Sequence, residues 1–457
     1  MAEEKISKLM LKFSIPCIMS LLVSSLYNIV DQIFIGRGVG YLGNGATNVV
    51  FPITIISLAV ALMIGDGCAA HLSICLGRGK KDEAEKSVGT AITVSVLVGI
   101  IMMVLFFVFS EMILSIFGAT ENNIGYAREY FRIIALGIPF YVFTNAMNSI
   151  IRADGSPKFA MFSTLIGCII NCILDPIAIF VFHWGMFGAA LATILGQIVT
   201  AVLAAWYMTR CKSFKLHIKS LFSGFSVIKK YLPLGASSFL TQVSIVITMG
   251  VMNNVLVKYG SESIYGADIP LTVFGIVMKV FQIIISFAIG IAAGSQPIVG
   301  FNYGAGHFDR VKNIYKTMMV AETVIGVVGM LAFEFFPLQI ISIFGSENAL
   351  YNQFAVFTFR VYLSTIILCC IQKSTSVFLQ SLGRTISAFA LSITRDIVVN
   401  IGVVLILPHF IGLTGTLLSA PIADIVSFIL VIFMIRKVFH SFNEKYKIVP
   451  TADIETA

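Results

Sequence analysis

The feature that most limits what this chain can become is its succession of long apolar runs. Twelve are present, at about 13–36, 48–76, 88–110, 130–151, 159–182, 187–208, 231–257, 269–297, 314–336, 354–380, 386–407 and 412–436. Each is long enough to cross a bilayer as a helix, which takes about 20 residues. None alternates polar and apolar residues as the strands of a membrane β-barrel do. Charged residues make up 12% of the 457, against about 25% in soluble domains. The expected fold class is therefore an all-α polytopic membrane protein with twelve transmembrane helices. An even number of spans puts both termini on one side.

Charge placement orients the chain. With the N-terminus inside, the loops on that side hold 23 Lys and Arg and the opposite side holds 4, namely Arg37, Arg128, Arg132 and Lys258. The positive-inside rule then makes both termini cytoplasmic. This distribution accounts for the net charge of +8 without any nucleic-acid partner. The first apolar run follows lysines, as in a signal peptide. It lacks a small-residue cleavage site and contains Asp31, so it reads as a retained span.

The second half repeats the first. At an offset of 227 residues, Ile113 and Ser115-Ile116-Phe117-Gly118 match Ile340 and Ser342-Ile343-Phe344-Gly345. Gly79 and Asp82 match Gly306 and Asp309, and Gly188 matches Gly415, at the same offset. Six spans against six gives both halves the same orientation, as in parallel repeats. The expected organisation is two six-helix lobes related by a pseudo-two-fold axis, residues 1–217 and 218–440. A basic linker joins them, and a polar, loosely ordered tail, 441–457, follows.

Polar residues inside the apolar runs are the candidates for function. The densest stretch is Ser163–Gln197, where two spans meet across His183-Trp184-Gly185. Asn171 and Asp175 are four apart and share a helix face. Thr193 lies at comparable depth in the next span. A carboxylate in mid-span costs about 2.5–3.5 kcal/mol on insertion scales, so a cation, a proton or a buried partner must offset it. Asp31 is a second such acid, with Tyr27 one turn before it. Intramembrane acids are functional by default; the alternative is a pair of neutral, hydrogen-bonded structural acids. Two carboxylates with amide and hydroxyl oxygens suit Na⁺, and a close carboxyl pair equally suits H⁺. Asn145 and Asn148 share a face and are equally able to tie helices together. Pro16 is expected to kink the first span. In the second lobe, Arg395 and Asp396 read as a buried charge network together with Lys279 and Asp424. Lys279 and Lys373 have Glu322 and Asp424 as candidate partners. Asp66, between two glycines, receives no role, and His71 reads as a satisfied interhelical histidine.

Enzymatic readings find no support. HExxH, GxSG, GxGD and Walker A patterns are all missing from the sequence, and Met63-Ile64-Gly65-Asp66 lacks the first glycine of the third. The eight cysteines show neither zinc-site spacing nor a disulfide framework. A non-enzyme without cofactor is expected.

Four stretches together resemble the multidrug and toxic compound extrusion (MATE) family of cation-coupled efflux transporters, and within it the MepA-like branch. They are Tyr27-Asn28-Ile29-Val30-Asp31, Asn171 to Asp175-Pro176, Gly188 to Thr193, and Gln296 to Gly306. The resemblance implies a V-shaped pair of six-helix bundles that rock between outward- and inward-open states. It implies export of cationic amphipathic drugs or dyes, driven by Na⁺ or H⁺ entry, by a monomer in a bacterial cell membrane. By the same resemblance the cation ligands are Asp31, Asn171, Asp175 and Thr193, and Tyr27, Asn145 and Asn148 face substrate. Pro16 matches a proline that bends in some relatives. Some relatives also use a carboxylate in span seven for a second cation site, where this chain has Thr241-Gln242. The alternative is a flippase for lipid-linked precursors on the same two-lobe plan. Arg395, Lys279 and Lys373 favour it, and the buried acids of the first lobe weigh against it.

Overall fold

The computed structural model describes residues 4–117, 121–266, 268–344 and 349–448. Gly118 and Gly345 of the repeat and the last nine residues of the tail lie outside them.

Helices α1 (Ile6–Gly38), α2 (Tyr41–Gly77), α3 (Lys81–Val108), α4 (Ile124–Ala153), α5 (Pro157–Pro176) and α6 (Gly185–Met208) build the first lobe. Helices α7 (Ala236–Ser261), α8 (Asp268–Gly304) and α9 (Phe308–Phe335) begin the second. The bent pair Ala349–Tyr362 and Ile366–Ser381 forms α10, the segments from Thr385 to Ile411 form α11, and Ser419–Ile448 is α12. Among the described residues, eleven helices are long and apolar enough to span a membrane, or twelve with the pair bent by 48° counted as one. The twelve expected runs are thus present, but the tenth is broken at Leu363–Thr365.

Inside a bilayer the backbone must satisfy itself, so unbroken helices are the form these runs can take. Each lobe buries small residues such as Ala59, Ala61, Ala69 and Ala146 in the first and Ala288, Ala355 and Ala420 in the second. Exposed apolar stripes recur one turn apart on the outside: Leu97, Ile101, Val104 and Val108 on α3, and Val320, Val324 and Val328 on α9. These faces meet lipid, which is as apolar as they are. Pro16 sits within α1, which continues as one helix through it, and Ser20 Oγ donates to the Pro16 carbonyl at 2.9 Å.

The lobes meet toward the side that carries both termini. Leu9, Met10 and Phe13 of α1 share a core with Ile291, Ile298, Phe378 and Phe442 of the second lobe. A side chain at Gly294 would meet the Ser14 backbone at 2.6 Å, so glycine is what lets α1 and α8 approach here. Ser14 Oγ donates to the Ile291 carbonyl at 3.4 Å, and Ser25 and Ser286 pair at 3.4 Å further along.

The linker stays on the first lobe longer than the 217/218 boundary suggests. Glu85 accepts from the His217 backbone and from Ser220 Oγ, and Tyr231 is fully buried in the first-lobe core. The first part of the expected tail, 441–448, is instead helical, continuing to Ile448. Phe442 explains it, stacking on Phe308 at 5.1 Å between ring centroids.

Candidate functional site

The first-lobe site rests on a close helix pair. A Cβ at Gly196 would lie 2.7 Å from the Gly167 carbonyl oxygen, so the α5 and α6 backbones nearly touch. Only small residues permit this. One turn further, Asn171 reaches across: its Nδ2 donates to Thr193 Oγ1 at 3.2 Å and to Asp175 Oδ1 at 3.3 Å. Thr193 gives its own proton to the Ala189 carbonyl at 3.1 Å. Asp31 projects from α1 to stand beside Asp175. Tyr130 of α4 lies beside Thr193 and the two acids and closes the site. Sequence reasoning missed Tyr130, because nothing in its local pattern says which way α4 is turned. The backbone also departs from α geometry here: Ile177–Val181, directly after Asp175-Pro176, is a π-helical turn. Pro176 cannot supply a helical N–H, which is a local reason for the irregularity.

Three oxygens in this cluster are buried without a partner: Asp31 Oδ1, Asn171 Oδ1 and Asp175 Oδ2. Asp31, Asn171 and Asp175 are 8%, 3% and 1% exposed. An unpaired buried polar group costs about 1–3 kcal/mol, more when charged. Three such acceptors on neighbouring side chains therefore suit a small cation or a proton. Among the described residues no Lys or Arg pairs with either acid.

The other predicted first-lobe residues lie nearby in varied settings. Tyr27 is half-buried, close to Asp31, Tyr141 and Cys168. Asn145 bonds its own helix, Nδ2 to the Tyr141 carbonyl at 2.9 Å. Asn148 donates to Thr164 Oγ1 at 3.3 Å and keeps a buried, unpaired Oδ1.

The second-lobe charges form a different object. Thr365, Cys369 and Lys373 fall at i, i+4 and i+8 on α10 and make one face. Lys373 Nζ meets the two Asp396 oxygens at 2.9 and 2.7 Å. Arg395 donates to Asp396 at 2.6 Å, to Asp424 at 2.9 Å and to Cys369 Sγ at 3.1 Å. Thr365 Oγ1 donates to Asp424 Oδ2 at 2.7 Å. Arg395 and Asp396 sit in a second π-helical turn, Thr394–Val399. Two cations and two anions cancel, and every carboxylate oxygen is engaged. Lys373, not Lys279, completes this network. Lys279 is exposed on α8 and makes no described ion pair, and Glu322 pairs with Ser374 alone.

Asp66, given no role from sequence, ties the lobes together. Its Oδ1 accepts from Ser149 Oγ at 2.7 Å, and its Oδ2 accepts from Ser238 Oγ of α7 at 2.9 Å. Arg152 stands 3.8 Å away, and Gln296 Nε2 of α8 donates to the Asp66 carbonyl at 3.3 Å. The α2 helix runs unbroken through Gly65-Asp66-Gly67. His71 meets Ser87 of α3 at 3.0 Å, an interhelical contact as expected.

Comparison with known proteins agrees with this geometry. The family model described as MatE matches residues 16–177 and 236–406. The chain is 27% identical over 438 residues to the multidrug export protein MepA of Staphylococcus haemolyticus, covering 95% of this chain and 94% of that one. It is 25% identical over 438 residues to MepA of Staphylococcus aureus strain MRSA252, covering 95% of both. Among solved structures, an outward-facing multidrug resistance MATE family transporter of the MOP superfamily superposes with TM-score 0.88 at 24% identity, over 96% of this chain and 97% of that one. A crystal structure of MATE in complex with MaL6 gives TM-score 0.89 at 23% identity, over 96% and 98%. A repeat-built pair of helical lobes and a family match over most of the sequence converge: the chain belongs to the MatE family of membrane transporters.

Proposed function

We propose that this protein exports cationic amphipathic compounds from the cytoplasm by antiport with Na⁺ or H⁺, through alternating tilts of its two lobes. The observation that carries the reading is the triad of buried, partnerless oxygens on Asp31, Asn171 and Asp175. Two carboxyl groups in contact either share a proton or share a cation. Thr193 orients Asn171, which in turn steadies Asp175. Tyr27 offers a ring face to a cationic substrate beside the acids. An ion changes the lobe equilibrium only if it binds the two tilts with different affinity. Asp31 lies on α1, which also packs against the second lobe, so a change at the acids has a route to the interface.

The charge distribution supports both termini being cytoplasmic, in a cell membrane. That the staphylococcal relatives are named multidrug export proteins supports the export of drugs. The flippase reading loses its footing because Arg395 and Lys373 are already neutralised by Asp396 and Asp424.

The test is dye transport in reconstituted vesicles, with Na⁺ and pH gradients imposed separately. One of the two gradients should drive ethidium-like dyes, and Asp31→Asn or Asp175→Asn should abolish the driven component at equal protein level. Undiminished transport by both variants removes the mechanism.

A further inference from the structure

We propose that His71, Cys75 and Glu83 form a binding site for a zinc-class divalent cation at the α2–α3 hairpin, distinct from the acid site of the first lobe. His71 and Cys75 are one helical turn apart on α2 and so share a face. Glu83 comes back from the first turn of α3, across the tight turn at Gly79 (φ 72°). One ligand atom from each of the three lies within 4.8 Å of the others. A tetrahedral zinc with legs of about 2.0–2.3 Å places its ligand atoms about 3.3–3.8 Å apart. Cys75 Sγ already stands 3.6 and 3.7 Å from the two His71 ring nitrogens. The 4.8 Å spread exceeds the bound spacing by about 1 Å, a gap within the reach of side-chain rotation.

The hydrogen bonds around His71 prepare it for this role. Ser87 Oγ spends its proton on the Glu83 carbonyl at 2.8 Å. At 3.0 Å from His71 Nδ1 it therefore accepts from the ring N–H. That fixes the tautomer with a free lone pair on Nε2, the arrangement by which outer groups hold metal-binding imidazoles. Nitrogen, sulfur and carboxylate together select a borderline-soft ion such as Zn²⁺ over Na⁺ or Mg²⁺.

Three protein ligands leave one position open. A cavity of about 360 Å³ adjoins His71 and Glu83, and among its lining residues are Lys86, Ser87, Ser223, Ser226 and Lys230. The last three belong to the linker between the lobes, so a bound ion sits where the hairpin and the linker meet. The competing contacts are weak: the Lys80–Glu83 pair is 3.4 Å long and its side chains are 56% and 41% exposed. Such pairs contribute little and dissolve in salt. Arg78, Lys86 and Lys230 also surround the site but are exposed and free to swing to solvent.

The experiment uses purified full-length protein stripped with a chelator and then loaded with Co²⁺ or Zn²⁺. One equivalent of Co²⁺ should give a thiolate-to-cobalt charge-transfer band, and Cys75→Ser should remove it. Zn²⁺ affinity, read by competition with an indicator dye, should fall about 100-fold in Cys75→Ser and at least 10-fold in Ser87→Ala, an outer-group loss of the usual size. Glu83→Gln changes only a partly exposed side chain, so it keeps the test decisive if the α2 variants fold poorly; it should also weaken zinc at least 10-fold. A wild-type protein without the band, or variants that bind zinc as tightly as wild type, overturns the site.

Discussion

Asp66 is the residue whose loss should most visibly move the lobes. Under the proposed alternation of tilts, two of its contacts behave differently. The Ser149 bond stays within the first lobe, whereas the Ser238 bond crosses to the second. Only the second contributes to the balance between tilts. A hydrogen bond to a charged group contributes about 1.5–3 kcal/mol, and Asp66 is 18% exposed in its side chain, so solvent screening is modest. Asp66→Ala should therefore shift the ratio of the two tilts by roughly 10- to 150-fold away from the arrangement seen here. Asp66→Asn keeps an acceptor oxygen and should shift it less. Spin labels at Lys158 and Ile386, exposed on the terminal side of opposite lobes, read the tilt as a distance distribution. A new, longer distance should gain population in Asp66→Ala. Identical distributions in wild type and Asp66→Ala would refute the reasoning.

Two further substitutions probe the packing around the two charged clusters. Arg395→Met leaves Asp424 buried without its cation, and losing one member of a buried pair costs about 3–5 kcal/mol; the thermal midpoint should fall sharply, and adding Asp424→Asn should recover part of the loss. Gly196→Val drives a side chain into the Gly167 carbonyl, so α5 and α6 must separate; ion-driven dye transport should disappear while the protein still reaches the membrane, which a transport assay normalised to surface protein checks.

Much of this architecture is written in the apolar runs, because a bilayer leaves helices as the only way to bury a backbone. The acid pair was equally legible, since a mid-span carboxylate needs an explanation on its own. Helix ends were not. The eighth span continues to Gly304 and the twelfth to Ile448, where aromatic contacts from distant residues, such as Phe308 on Phe442, extend them. Partners were also hidden. Lys373 and Lys279 look alike in sequence, yet helix rotation buries one against Asp396 and leaves the other exposed. Asp66 looked inert between its glycines because its meaning lies in Ser238, on the other lobe. The π-helical turns after Asp175 and around Asp396 have no periodic signature.

The central claim is that a small positive ion on Asp31 and Asp175 tilts the lobes, and the same pair of labels tests it most directly. Titrating Na⁺ at fixed pH, and then pH without Na⁺, should redistribute the Lys158–Ile386 distances in one of the two series. The Asp31→Asn, Asp175→Asn double variant should stay fixed in both. A double variant that still responds like the wild type would contradict the account.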